Sequence, residues 1–431
     1  MSDRATSPLS PRRILFLTSQ LLYPPQQGGA LRAYNLLAGL AARHTVHLLS
    51  FQQPGERLLP DSPLHRLCAR LEVVPAPPPR PWWRRLVATI FSPLPDMALR
   101  LPSPEFLARL ADWLAQERYD IVQAESLEMA PFLLAARRKA AGALLVLDDF
   151  NAEYLLQKRA WETDARAPDR WPGAIYSLAQ WQKLRRYEAA ICRAVDLTLA
   201  VSDMDAAALR RIAPGARLAV VPNGVDTSFF REAAEFLVAA QDARERSSDE
   251  SPCDLVFTGK MDFRPNVDAA LWFAREVLPR VRAEEPGARF LIVGQSPHAR
   301  LGALARDPAV RLTGRVDDVR PYVARAAVYV VPMRIGGGTR LKVLEAMSMG
   351  KAIVSTSLGC EGYPVRDGVE LIIADAPADF AWAVIHLLRD PARRKQLGSA
   401  AREFARARYD WRSIVPSLEA AYQAAQPEGW S

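Results

Sequence analysis

Cysteine and histidine are scarce: four Cys and five His in 431 residues. Cys68, Cys192, Cys253 and Cys360 lie far apart, with neither metal-ligand spacing nor a disulfide framework. A reducing, cytosolic setting fits them. His44, His47, His65, His298 and His386 show no triad or zinc spacing. Long apolar runs are missing too. LVATIFSPLPDMAL (86–99) comes nearest to a membrane span and is broken by two prolines. The N-terminal MSDRATSPLSPRR is polar, and the ILFLT after it is too short for the core of a signal peptide. These absences imply a soluble or peripheral protein. The chain also lacks GxxxxGK[ST] and GxGxxG, which weakens readings as an ATP-hydrolysing or NAD-binding enzyme.

Acidic residues are in deficit, 48 against 56 lysines and arginines, a formal charge of +8. That excess favours anionic partners without choosing among phosphate, nucleic acid and membrane. Nucleic acid is disfavoured because the basic residues are dispersed and no known binding module appears.

Short apolar runs alternate with helical segments. RILFLT (13–18), TVHLLSF (45–51), LEVVPA (71–76), YDIVQA (119–124), ALLVLDD (143–149), VDLTLAVS (195–202) and ARLAVVP (216–222) read as strands buried on both faces. The alternation restarts at Asp254 with DLVFTG, RFLIVG, VRLTG, VYVVP, KAIVST and ELIIA. Between the two blocks, 225–252 reads as a linker, because QDARERSSDESP is charged and poor in apolar residues. The pattern predicts two α/β domains, residues 1–224 and 253–405. Each is a Rossmann-like, doubly wound parallel sheet, and the strand ends can meet across a cleft. A last helix within 406–431 carries Ile414, Leu418 and Tyr422 at four-residue steps and is expected to pack back on the first domain.

PMRIGGGTRLKVLEAMSMG (332–350) holds the chemistry. Gly336, Gly337 and Gly338 follow a strand, and a helix is expected from about Thr339. Glycine lets backbone approach a ligand closely, and a helix start attracts anions. Arg340 and Lys342 add positive charge, so a phosphate or diphosphate suits the place. The competing reading is a tight turn before a solvated helix, with Lys342 paired to Glu345.

GGGTRLKVLEAMSMGKAIVST followed by GCEGY resembles the donor-binding region of family-4 retaining glycosyltransferases of the GT-B fold. The subgroup it resembles is the exopolysaccharide-associated sugar transferases of bacteria. TGKMDFRPNVDAALWF (258–273), LTGRVDDVRPYVARA (312–326) and LLYPPQQGGALRAYNLL (21–37) extend the resemblance over nearly the whole chain. It implies a nucleotide-diphosphate sugar as co-substrate, no further cofactor, and no metal.

The resemblance also assigns residues. Glu345 matches the second glutamate of an E-x7-E motif and would accept hydrogen bonds from the donor ribose. The first glutamate is replaced by Gly337, so backbone amides of Gly337, Gly338 and Thr339 would take over. Lys260 stands where the family has a diphosphate-binding arginine. The family's lysine six residues on is Asn266 here, with Arg264 close by. Arg315 would line the base pocket. Gly28 and Gly29 match the glycine loop after the first strand, and Arg32 would support phosphate or acceptor. VQAES (122–126) carries Gln123 and Glu125 where relatives have histidines. DDFNAE (148–153) resembles D-x-H-N-x-E with Phe150 for histidine. Glu125, Asp149 and Asn151 are the catalytic candidates this implies, with Glu153 beside them; helix capping is the competing reading for such loop carboxylates.

Asp203-Met204-Asp205 matches the DxD metal motif of other glycosyltransferases, but after a strand and Ser202 it reads as a helix cap. PRPWWRRL (79–86) interleaves arginine and tryptophan. It suits an anionic membrane surface, with an ordinary surface helix or hydrophobic acceptor flap as the competing reading.

The expected activity is retaining transfer of a sugar from a nucleotide-diphosphate donor to a hydroxyl of a saccharide, expected to be lipid-linked, in polysaccharide or glycoconjugate synthesis. A nucleotide-sugar epimerase and a non-catalytic nucleotide-sugar-binding scaffold are the alternatives.

Overall fold

The computed structural model describes residues 10–25, 28–165, 171–231 and 254–426. Cys253 and most of the expected linker lie outside the described residues. The chain divides into two units, 1–223 with 411–431, and 224–410.

The first unit is built on seven parallel strands: β1 (Arg13–Thr18), β2 (Thr45–Gln52), β3 (Arg70–Pro75), β4 (Ile121–Glu125), β5 (Leu144–Asp149), β6 (Leu197–Ala200) and β7 (Leu218–Val220). Their order is β3-β2-β1-β4-β5-β6-β7. Strand β1 shows why these segments read as unbroken apolar runs. Alternate residues of a strand point to opposite faces. Ile14 and Phe16 enter one core while Leu15 and Leu17 enter the other. Both faces are covered, so Ile14 to Leu17 are all apolar, and polar residues come only at the two ends, Arg13 and Thr18.

The first of these cores is completed by the end of the chain. Helix Trp411–Ala425 lays Trp411, Ile414, Val415, Leu418 and Tyr422 against Leu36, Leu37 and Leu40 of helix Gly28–Ala41. The approach is close at Gly39, where an added Cβ would lie 2.3 Å from a Val415 methyl. Glu419 on the same helix is buried and takes His44 Nε2 at 2.9 Å and the Arg43 guanidinium.

The second unit holds β8 (Asp254–Thr258), β9 (Arg289–Val293), β10 (Val310–Leu312), β11 (Val328–Val331), β12 (Ile353–Ser355) and β13 (Ile372–Ile373), all parallel, in the order β10-β9-β8-β11-β12-β13. Segment 225–231, expected as linker, is tied into this unit: Val225 N–H donates to Tyr409 C=O at 2.8 Å. Helix Pro391–Tyr409 runs on past residue 405, so the C-terminal segment of the first unit starts at Trp411.

Helix Pro391–Tyr409 touches the turn after helix Leu341–Ser348 at Gly398. A Cβ there would stand 2.0 Å from the Gly350 carbonyl oxygen. Gly→Ala inside a helix ordinarily stabilises by about 0.5–1 kcal/mol. Here the sign reverses. Gly398→Ala should destabilise by roughly 1–3 kcal/mol, the usual cost of overpacking, read as a lower urea midpoint with an unchanged m-value. A raised midpoint would mean the two helices part freely.

Candidate functional site

In each unit the strand order reverses at one place, between β1 and β4 and between β8 and β11. Open parallel sheets bind ligands beyond the carboxyl ends of the strands at such reversals.

In the second unit the loop after β8 and the loop after β11 converge there. Gly336 (φ +108°) and Gly338 (φ +75°) hold left-handed backbone, which only glycine adopts at little cost. The helix therefore starts at Leu341, not at Thr339. Arg340 precedes it in extended backbone and folds its guanidinium back onto the Gly338 carbonyl oxygen. Arg334 fixes the start of the loop with two hydrogen bonds to Asp268, 3.1 and 2.9 Å.

Lys342, in the first turn, lies across both loops. Its ammonium donates to Asn266 Oδ1 at 2.9 Å and sits 4.2 Å from the ring centre of Phe257. Asn266 in turn donates to the Lys260 carbonyl at 2.9 Å. Gly259 leaves the room: a Cβ there would meet Lys342 Nζ and Asn266 Nδ2, each at 2.7 Å. Lys342 therefore hydrogen-bonds to Asn266, and no ion pair joins it to Glu345 among the described residues. Burial, then the charge of Arg340, pushes its amine down to about 7, with Glu345 pulling the other way. Burial raises the Glu345 carboxyl, and Lys342 partly offsets this. Two left-handed glycines, a helix start, Arg340 and Lys342 are thus gathered at this reversal, a combination whose chemistry suits an anion.

The other donor candidates are spread more widely. Lys260 is exposed and 3.5 Å from Asp262. Arg264 opens helix Arg264–Trp272. Gly337 and Thr339 stay in the loop before the helix. Arg315 follows edge strand β10, two strands from β8. Sequence reasoning gave Asn266 no role beyond the loss of a lysine. No signal in the sequence pairs it with Lys342, 76 residues away.

In the first unit, Gly28 and Gly29 are the first residues of a helix rather than a loop. A Cβ on Gly29 would lie 2.8 Å from the Phe150 ring, so the glycine is needed for packing. Arg32 is also recast. It is buried, and its guanidinium grips Asp148 with two hydrogen bonds (2.8 and 3.1 Å) and donates to Pro222 C=O at 2.9 Å. It supports the fold, not a phosphate.

Glu125 ends β4 beside Ser126, whose φ of +82° is strained for a non-glycine residue. Gln123 Nε2 donates to its carboxylate at 2.6 Å, and the Tyr422 hydroxyl donates to Gln123. Burial first, then the charge of Asp148, holds Glu125 well above the usual carboxylate range. Asp149 ends β5 with both oxygens buried. Burial and then Glu188 push it well up. Glu188 accepts the N–H groups of Glu153 and Tyr154 at 2.8 and 2.9 Å. Asp149 is thus buried near Glu188, and neither of its carboxylate oxygens has a hydrogen-bond partner among the described residues. Asn151 and Glu153 are half-buried, 3.4 Å apart, and burial raises Glu153 to about 7.

Asp203-Met204-Asp205 starts a helix. Ser202 Oγ accepts the Asp205 N–H at 3.1 Å, and Asp205 Oδ1 accepts the Ala152 N–H at 3.1 Å, so the motif caps and joins. A cavity of about 450 Å³ between helices Pro104–Gln116 and Ala130–Arg137 contains none of the expected site residues.

Two doubly wound parallel sheets, each with one strand reversal, place the chain in the Rossmann-like class of α/β proteins. Residues 27–229 match the model of Glycosyltransferase Family 4, and residues 252–390 match that of Glycosyl transferases group 1. Each half of the chain is thus similar to a glycosyltransferase domain, and the two parallel-sheet units are those of the GT-B fold. The chain is 30% identical over 238 residues to the phosphatidyl-myo-inositol mannosyltransferase of Mycolicibacterium smegmatis, covering 54% of this chain and 58% of that protein. It is 25% identical over 174 residues to an uncharacterized 44.6 kDa protein in the cps region of Klebsiella pneumoniae, covering 38% of this chain and 45% of that one. The chain thus spans about half the length of these curated relatives. Sucrose-phosphate synthase of Thermosynechococcus elongatus superposes with TM-score 0.70 at 19% identity, over 96% of this chain and 99% of that one, and establishes the GT-B fold.

Proposed function

We propose that the chain is a retaining glycosyltransferase. It moves a sugar from a nucleotide-diphosphate donor to a saccharide hydroxyl. The observation that carries this is the Gly336–Thr339 loop and Lys342 at the β8/β11 reversal, inside a region matching glycosyltransferase models. In this reading the loop amides and the helix start take the diphosphate, Lys342, Lys260 and Arg264 neutralise it, and Glu345 accepts the ribose hydroxyls. Fixed cations stabilise the charge that develops on the leaving group, the task a metal performs elsewhere. The acceptor oxygen attacks from the face the diphosphate leaves, and the departing phosphate takes the acceptor proton. Configuration is thereby kept without a strong side-chain base.

A lipid-linked acceptor is supported by the mannosyltransferase relative, whose name states a phosphatidylinositol substrate. Polysaccharide synthesis is supported by the relative from a cps region. The interior placement of Asp149 speaks against an epimerase, which needs acid and base groups open to the sugar.

The test is a panel of UDP, GDP and ADP sugars, with and without EDTA. One donor should bind and release its diphosphate slowly and EDTA-insensitively, and Glu345→Ala should weaken that donor about 10-fold or more, the value of a charged hydrogen bond. Binding of a donor without turnover on any acceptor would leave a nucleotide-sugar scaffold. Release that stops with EDTA would end the metal-free account.

A further inference from the structure

Helix Trp82–Phe91 is docked inside out. Its large apolar residues fall in pairs at a four-residue repeat: Trp82 and Trp83, Leu86 and Val87, Ile90 and Phe91. This spacing gathers them in one stripe, and a surface helix ordinarily turns such a stripe to the core. Here none of the ten residues is buried, and these six are 48% to 79% exposed. The opposite edge makes the contacts instead. Arg85 donates to the Tyr176 hydroxyl at 3.1 Å, and Gln180 donates to Thr89 Oγ1 at 2.9 Å. The Lys183 ammonium donates to the carbonyls of Ala88 and Thr89 at 3.1 and 2.6 Å. These bonds hold the helix on Trp171–Ala194, whose own first turns expose Trp171 and Ile175. The outward stripe is therefore fixed by the polar contacts behind it.

The charge along the two segments that form this face has one sign. Residues 80–95 contain Arg80, Arg84 and Arg85 and no acid, and residues 171–187 contain Lys183, Arg185 and Arg186 and no acid. The first carboxylate after the stripe, Asp96, is already paired with Arg80 and Arg85. A second copy of the chain is a poor cover, because a two-fold contact would set this arginine cluster against itself. No helix among the described residues is long and apolar enough to cross a membrane. Tryptophan beside arginine, with isoleucine and phenylalanine one turn on, matches the interface of an anionic bilayer.

We propose that this face, helix Trp82–Phe91 with the start of Trp171–Ala194, rests on a membrane surface rich in anionic lipid. Ile90 and Phe91 enter the acyl boundary, the tryptophans lie at headgroup depth, and Arg84 meets the phosphates. The proposal does not depend on the sugar chemistry, so vesicle binding and donor binding succeed or fail separately.

The experiment is co-sedimentation of the full chain with vesicles of phosphatidylcholine alone and with phosphatidylglycerol mixed in. The mixed vesicles should bind the protein and the neutral ones should not. Arg84→Glu, a change of two charges, should weaken binding roughly 25-fold at low salt, taking about 5-fold for each basic residue near the surface. Ile90→Ser and Phe91→Ser should each weaken it about 10-fold or more, and salt should not mask that loss. All three side chains are exposed, so the thermal midpoint should stay put and confirm folding. No binding to either vesicle, or equal binding by wild type and variants, overturns the proposal. A dimer in light scattering that Phe91→Ser dissolves also overturns it, by making a second copy the occupant.

Discussion

Arg32→Met should destabilise the protein by roughly 3–5 kcal/mol, the usual result of removing one partner of a buried ion pair, while the folded fraction keeps its affinity for a nucleotide sugar. Arg32 is 1% exposed, and its hydrogen bonds to Asp148 and the Pro222 carbonyl join helix Gly28–Ala41, the end of β5 and the segment after β7. Methionine keeps much of the stem and supplies none of those bonds. Asp148 is then left buried without its cation. Burial already pushes this carboxyl up, and Arg32 is what pulls it down. In the variant it rises further, so the carboxyl takes a proton on folding. Stability present at acidic pH is then lost as pH rises, and the gap from wild type should widen as pH rises above the range in which the unfolded carboxyl is protonated. Urea denaturation at several pH values measures it. Normal stability with weaker donor binding would make Arg32 a phosphate ligand and reverse the structural assignment.

What the sequence disclosed, and what it concealed, follows from the range of the interactions. Strand β1 was legible because a strand buried on both faces leaves one signature, an unbroken apolar run. Ile414, Leu418 and Tyr422 were legible because helix periodicity is local. The glycine triplet was legible as a loop, since left-handed backbone leaves few other residues. Contacts between distant residues were not. Arg32 and Asp148 stand 116 residues apart, and nothing around Arg32 distinguishes a guanidinium turned inward from one turned to a ligand. Asp149 lies in the same run as Asn151, yet the strand pleat and Glu188 send its carboxyl inside. The start of the helix at Leu341 rather than Thr339 depends on Arg340 folding back to Gly338, a side-chain event with no pattern to announce it. The interleaved arginines and tryptophans of 79–86 were visible. That the polar edge of Trp82–Phe91 faces the protein could come only from the contacts of Lys183 and Gln180.

Lys342→Met should weaken donor binding on the order of 100-fold or more, within the range for truncating one member of a buried charge pair, and should remove a pH dependence that wild type displays. The Lys342 amine sits at about 7 in the protein, against about 10.4 for an unperturbed lysine. A diphosphate favours the ammonium form, so binding raises this value and takes up a proton above about pH 7. Affinity should be flat below about pH 7 and fall with rising pH, by up to about tenfold per unit. The sign for folding is opposite. A lysine depressed in the folded state costs stability where it is charged, below its folded value. The cost fades as pH rises towards the unfolded value. Methionine removes that cost and still packs on Phe257, so Lys342→Met should not be less stable near pH 6 even though Asn266 loses its donor. Lys342→Arg keeps a charge that does not titrate and should bind with a flat pH profile. Calorimetry in buffers of different ionisation enthalpy counts the protons directly. Wild-type binding that stays level from about pH 6 to about pH 9 would mean that Lys342 does not face the diphosphate. The cation that links the two loops would then be a strut between them, and Lys260 and Arg264 would be left to hold the donor.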